Sequence, residues 1–406
     1  MGFPSDDIVT IKLGQHGYPT LISVNCPDKL GLGADIARII LEFGLIIVRA
    51  DLSTDGKWCF CLFWVHPAEG ISKNIRWAAL KKLLVRACPP TRPHLLLPQF
   101  QIPKPTQSYL LRTLSMDNVG LLNEITQVLW ELEFRVHKMI ASVTPDGKAV
   151  TMFCLTDSRE SLHEKRRQDD LCIRLKLILG EQTSDCVVTP AGTEWGELDC
   201  TTFLSAASTS LMDICSHDAQ GVGKLRIDVD NSLSPGHTLL QICCKGRRGL
   251  MYDCMRTLKD FQIQIAYGRS ATNGKGDGEI DLFILHGDGK KLIDPVKLEN
   301  LCSRLEDEIL QPVRIAIMDR GPDIELIVAA SIGVCGQGRP RALHDITCVL
   351  KALGICIFKA DAGFYLIEDH RWEVYRFLFM EKHDVDLSSR QTQAQIAEKL
   401  RRKLLG

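Results

Sequence analysis

The sequence predicts an α+β protein made of four tandem βαββαβ repeats, and three observations predict it. One turn-and-helix stretch recurs along the chain, the apolar residues after it keep one helical register, and beyond each helix the pattern switches to alternation ending in a turn signal. "PDKLGLGADIARIILEFGLIIV" from Pro27 is matched by "MDNVGLLNEITQVLWELEFRVH" from Met116 and by "KGRRGLMYDCMRTLKDFQIQIA" from Lys245. A fourth copy, "GRPRALHDITCVLKALGICIFK" from Gly338, is more distant. Self-similarity of this kind marks a repeat architecture.

Each element can be justified in order. The repeats open with an apolar strand near Tyr18, Tyr109, His237 and Asp323. A turn follows, with a glycine at Gly31, Gly120 and Gly249 and an arginine, Arg341, at the same place in the fourth copy. Four residues later stands an acid, Asp35, Glu124, Asp253 or Asp345, where a carboxylate favours the positive end of a helix. Ile36, Ile39, Ile40 and Phe43 in the first copy, and their counterparts in the others, lie at i, i+3, i+4 and i+7, one face of an amphipathic helix. Alternation at Leu45 and Ile47, Phe134 and Val136, Ile263 and Ile265, and Ile355 and Ile357 gives a strand with one buried face. Hairpin signals follow in "STDGKW", "TPDGKA" and "TNGKGDGE", because Asp-Gly and Asn-Gly tolerate positive φ; the fourth copy turns at "EDHR". A second strand and a second helix complete the repeat, and "HLLL", "DCVV" and "VRIAIM" are candidate closing strands for the first three. This order is that of the ferredoxin-like fold.

The resulting domains are 18–100, 109–190, 237–319 and 323–406. Residues 191–236 form an insertion, expected to be a linker that divides the chain into two halves of two repeats each.

Composition narrows the function classes. An apolar fraction of 45% and a charged fraction of 24% are ordinary for a soluble globular protein. Lys plus Arg (49) balances Asp plus Glu (50), so no net field draws the chain to nucleic acid or to an anionic membrane. No apolar run is long enough to span a bilayer, and the acidic opening "MGFPSDDIVT" is not expected to act as a secretory signal or a basic transit peptide. The sixteen cysteines include no C-x-x-C pair and read as reduced thiols of a cytoplasmic protein, with nuclear entry left open. Cys59 and Cys61 on one strand face, and the adjacent Cys243 and Cys244, are read as packing residues in preference to metal ligands.

Specific chemistries fare poorly. Gly31-x-Gly33 resembles half a dinucleotide fingerprint, but Ile36 stands where the third glycine belongs and the other copies lack the second. "GRSATNGK" has one residue too many for a phosphate-binding loop and lies at a hairpin. Nucleophile-elbow, zinc-helix and calcium-loop motifs are absent, and no histidine recurs at equivalent positions. The recurring acids come without a recurring base or second acid, so helix-start electrostatics is preferred to catalysis. No cofactor is expected, and binding is the better class. A glycine turn leaves helix-start amides open to a carboxylate or phosphate, and Leu32, Leu121, Leu122 and Leu250 could wall an apolar pocket. That combination suits a free amino acid. The plainer alternative is that glycine serves only the turn and leucine only the core.

"PDKLGLGADIARIILEFGLIIVRADLSTDGKWCFCLFWV" and "MDNVGLLNEI" resemble ACT domains, the ferredoxin-like regulatory modules of aspartate kinases, chorismate mutases and bacterial uridylyltransferases. Four such units without an enzyme domain resemble the plant ACT-domain-repeat proteins, in particular chains that start MG-x-P-S-D-D and carry STDGKWC. The resemblance implies antiparallel sheets paired side by side, with amino acids bound near the first strand-to-helix loop. It points to Asp28, Gly31 and Leu32 in the first repeat and to Asp117, Gly120, Leu121 and Leu122 in the second. Gly249 and Leu250 match in the third, where Gly246 replaces the acid and Arg247 and Arg248 join the loop; Gly336, Gly338, Pro340 and Arg341 reshape the fourth. The expected function is that of a non-enzymatic amino-acid-binding regulatory or sensor protein, with a protein partner or self-association through the sheets as further contacts. The alternative is a ligand-free scaffold.

Overall fold

The computed structural model describes residues 7–15, 17–68, 75–90, 107–159, 161–180, 185–192, 224–274, 276–321, 323–334, 336–367, 370–379, 387 and 389–406. In chain order, the first repeat holds β1 (Val9–Lys12), β2 (Thr20–Pro27), α1 (Leu32–Glu42), β3 (Leu45–Thr54), β4 (Trp58–Pro67) and α2 (Trp77–Ala87). The second holds β5 (Tyr109–Met116), α3 (Leu121–Glu131), β6 (Phe134–Val143), β7 (Lys148–Asp157), α4 (Lys165–Leu179) and β8 (Asp185–Pro190). The third holds β9 (Arg226–Asp230), β10 (Thr238–Lys245), α5 (Leu250–Asp260), β11 (Ile263–Thr272), β12 (Asp277–His286) and α6 (Pro295–Leu310). The fourth holds β13 (Val313–Arg320), β14 (Asp323–Ser331), α7 (Ala342–Ala352), β15 (Ile357–Ile367), β16 (His370–Phe379) and α8 (Arg390–Leu405). No helix among the described residues is long and apolar enough to cross a membrane.

The repeats do not pair in sequence order. The first and third form one compact body and the second and fourth another, so the linear halves on either side of the insertion are not the bodies of the fold. In the first body one antiparallel sheet runs β1-β2-β4-β3-β11-β12-β10-β9; in the second it runs β13-β14-β16-β15-β6-β7-β5-β8. The seams are β3 with β11, where Ser53 to Arg49 lie opposite Tyr267 to Ala271, and β15 with β6, where Lys359 to Ala362 lie opposite Ser142 to Met139.

Edge strands are the second departure. Among the described residues, only the second repeat closes with a strand that follows its last helix, β8 against β5. In the first, third and fourth the edge strand comes before the repeat: β1 on β2, β9 on β10 and β13 on β14. The "VRIAIM" strand expected to close the third repeat is β13 and belongs to the fourth; "HLLL" lies outside the described residues. Antiparallel strands need only a short connection, so a hairpin delivers the same edge partner as a crossover would. Between β13 and β14 that hairpin is tight, with Arg320 opposite Asp323 and Gly321 at φ 68°, where the sequence reads as a repeat boundary.

The helical register holds throughout. Ile36, Ile125, Cys254 and Ile346 occupy one position and are all fully buried, as are Ile40, Leu129, Leu258 and Leu350 four residues on. Each fully buried aliphatic chain contributes roughly 1.5–3 kcal/mol relative to exposure. The apolar faces pack α1 against α5 and α3 against α7 within their bodies. Each repeat also carries a β-bulge at an equivalent place, with register shifts between Ile47 and Arg49, Val136 and Lys138, Ile265 and Tyr267, and Ile357 and Lys359. A bulge bends and twists its strand. Here it lies next to the residues that pair across the seam.

Candidate functional site

Two clefts form where the turn loop of one repeat meets the bulged strand of another. In the first body Asp28, Gly31 and Leu32 line a cleft enclosing about 480 Å³, open to solvent. Its other wall is Met255 and Leu258 of α5 with Ile263, Gln264 and Ile265 of the third repeat. In the second body Asp117, Gly120, Leu121 and Leu122 line a cleft of about 350 Å³, faced by Ile355, Ile357 and Phe358 of the fourth repeat. Seven of the nine residues singled out from the sequence thus converge on two equivalent places. Gly249 and Leu250 line neither.

The four turns share a left-handed backbone. Gly31, Gly120 and Gly249 stand at φ 74°, 92° and 81°, and Arg341 adopts φ 64° without being glycine. The helices they start have no side-chain cap; the amides of Leu32 and Leu121 bond back to the Lys29 and Asn118 carbonyls at 3.1 and 3.2 Å, and the next two amides of each first turn are left for solvent or a ligand. In the first cleft Gly33 and Ala34 bring such amides to the lining. Opposite them Asp28 Oδ2 accepts hydrogen bonds from Thr54 Oγ1 at 2.7 Å and from Gln264 Nε2, a third-repeat side chain, at 2.7 Å.

The recurring acids are ion-paired in every copy. Lys259 Nζ donates to Asp35 at 2.7 Å, joined by Lys29 at 2.9 Å, and Lys351 Nζ donates to Glu124 at 2.9 Å. The two bridging lysines come from the other repeat of each body, and their stems lie directly over the turn glycines. A Cβ on Gly31 would overlap Lys259, and one on Gly120 would overlap Lys351. In the third repeat Arg247 takes over, bonding Asp253 at 2.6 Å and the α6 carbonyls of Glu308 and Ile309 at 3.1 and 3.3 Å. That loop is thereby tied to the end of α6. In the fourth, Arg341 pairs with Asp345 at 3.4 Å and lies 4.1 Å over the Trp130 ring of α3.

Sequence reasoning missed Lys259, Lys351, Gln264 and Phe358, all supplied from across a seam. A signal existed: a lysine stands ten residues after the turn position in the third and fourth copies, where the first two have Leu41 and Trp130. Interpreting it required knowing which repeats pair.

Burial opposes ionisation of Asp35, but hydrogen bonds from Lys259 and Lys29 outweigh it and hold the carboxyl below its usual range. A depressed folded-state pKa stabilises the fold above the unfolded value of about 3.9, and that contribution disappears as pH falls through the folded value. Asp35→Asn is therefore expected to lower stability at pH 7 by about 1 kcal/mol or less, since the pair is partly exposed. The two proteins should converge in acid. Denaturation midpoints at pH 7 and in acid check this, and an equal gap at both would refute the ion pair's contribution.

Comparison with known proteins gives the family. Residues 10–89 match the model of the N-terminal region of ACT domain-containing protein ACR10, 226–323 match an ACR9-like, ACT-like domain, and 324–406 match the C-terminal region of ACT domain-containing protein ACR9. The chain is 43% identical to ACT domain-containing protein ACR9 of Arabidopsis thaliana and 41% identical to ACR10 of the same plant, over the full length of both partners in each case. It is 25% identical to ACR3 of that plant, with 84% of this chain and 75% of that protein covered. Four ferredoxin-like repeats and full-length likeness at this level lead to one conclusion: the chain belongs to the plant ACT-domain-repeat proteins.

Proposed function

We propose that the chain is a non-enzymatic regulatory protein that binds free amino acids in two clefts, one in each body. The observation carrying this reading is that each cleft joins an uncapped helix start, an acid and an apolar wall drawn from a second repeat. First-turn amides would take the α-carboxylate, as helix starts do with anions. Asp28, or Asp117 in the second body, would take the α-ammonium. Leu32, Met255 and Leu258, or Leu121, Ile355 and Phe358, would receive the side chain. A ligand touching two repeats favours one arrangement of the seam by its difference in affinity, and a partner protein reads the change.

A second reading, a ligand-free scaffold, is favoured by the lysine stems over Gly31 and Gly120, because they account for the glycines without any ligand. Thermal unfolding with each of the twenty amino acids separates the two. A ligand at a hundred times its Kd adds about 2.7 kcal/mol to the folded state, a readable rise in Tm. A rise that Gln264→Leu or Phe358→Ala removes supports the sensor, whereas indifference to all twenty supports the scaffold.

A further inference from the structure

We propose that Cys26 and Cys59 form a reversible disulfide across β2 and β4, at the root of the first cleft. The two residues are direct partners in the antiparallel register, and their Sγ atoms stand 3.8 Å apart. Opposed residues in such a pair have Cα atoms about 4.5–5.5 Å apart, inside the roughly 4.4–6.8 Å that a disulfide bridges. Side-chain rotation therefore closes the gap without moving the strands. Cys26 immediately precedes Pro27 and Asp28, and Cys59 follows the hairpin whose Thr54 holds Asp28, so the bond would fasten the turn loop to the hairpin.

Two further thiols surround the pair. Cys61 lies on the same face of β4, and Cys88, at the end of α2, donates to the Leu84 carbonyl at 3.2 Å. Hydrogen bonds from the Cys26 and Cys61 thiols favour the thiolate of Cys59, and the donor role together with burial pushes Cys26 and Cys61 up. Cys59, which lines the cleft, is thus the attacking sulfur, and Cys26, fully buried behind it, the resolving one. Both Cys59 and Cys61 line the open cleft, which gives a small oxidant its approach. No group of three or more metal-ligating residues among those described is arranged to hold an ion, so the cluster is assigned to thiol chemistry.

The oxidant is a peroxide. Cys59 thiolate attacks one peroxide oxygen, the O–O bond breaks, and the departing oxygen takes a proton to leave as water or an alcohol. Cys59 is now a sulfenic acid. The Cys26 sulfur attacks the Cys59 sulfur, the S–O bond breaks, and hydroxide leaves with the Cys26 proton as a second water. Two thiols are oxidised to one disulfide and one peroxide is reduced.

The test treats the reduced full-length chain with hydrogen peroxide, blocks remaining thiols with N-ethylmaleimide, and maps the digest by mass spectrometry. The expected product is a Cys26–Cys59 linked peptide two hydrogens lighter than its parts, reversed by dithiothreitol, retained in Cys61→Ser and lost in Cys59→Ser. Recovery of both cysteines as blocked thiols while exposed Cys243 is oxidised would overturn the proposal. So would a map whose only link joins Cys172 of α4 to Cys186 of β8, whose backbone carbonyl lies 3.4 Å from the Cys172 sulfur, or zinc found bound to the reduced protein and lost on alkylation. The wild-type map decides even where a serine variant fails to fold. The result does not depend on whether an amino acid binds the cleft.

Discussion

Gly31→Val is expected to unfold at lower denaturant, with a loss of about 3 kcal/mol. Gly31 sits at φ 74°, where a β-branched residue is strained by roughly 1–3 kcal/mol. The new Cβ also overlaps the Lys259 stem and displaces its Nζ from Asp35, adding up to about 1 kcal/mol. Gly120→Val should behave alike, at φ 92° and against Lys351. A valine there does not leave the fold untouched, so lost ligand binding in a glycine variant would not by itself identify a ligand contact. Lys259→Ala in the Gly31→Val background should recover the overlap component only, leaving the backbone strain. Circular dichroism through a urea titration checks both, and an unchanged midpoint would refute the strain argument. Arg341 shows what accompanies a side chain at this position: an aromatic ring beneath its guanidinium and an acid one turn on.

Glu308→Ala is expected to cost more, roughly 3–5 kcal/mol, because it removes one partner of a buried ion pair. Glu308 on α6 is 3% exposed and accepts from Arg256 of α5 and, at 2.8 Å, from Arg304. Burial opposes the charge on Arg256, and the Glu308 carboxylate more than compensates. Without Glu308 the largest of the charges favouring Arg256 is gone, and α5 loses the Arg256–Glu308 contact with α6. Since α5 supplies Met255 and Leu258 to the first cleft and Lys259 to the ion pair with Asp35, the damage should extend to both. A double variant, Glu308→Leu with Arg256→Met, should recover much of the loss, because two apolar chains of similar volume need no pairing. Equal stability of Glu308→Ala and the parent would show that the pair contributes nothing.

The repeated elements were legible because they rest on local rules. Period 3.6 after Gly31, period 2 after Leu45 and the Asp55-Gly56 turn each act within a few residues, and all three recur. The positions of Asp28, Gly31, Asp117 and Gly120 were legible for the same reason. Pairing was not, because nothing local to β3 states that its neighbour is β11 and not β6. Edge strands were misassigned where a hairpin and a crossover deliver the same partner, as β13 shows. Lys259 and Phe358 went unnoticed because their roles exist only once the seam is formed.

The interleaved pairing also governs how the chain can be made and broken. Strand β3 acquires its seam partner β11 roughly two hundred residues after it is synthesised. At about 5–20 residues per second, that leaves its edge unpaired for some 10–40 s on the ribosome. Cutting the insertion would yield fragments that each hold half of both sheets, so neither could complete a body alone. Mixed together, they should restore both bodies as a two-chain complex. Exchanging the second and third repeats would instead place each partner beside its mate, converting a split-and-rejoin architecture into two self-sufficient halves.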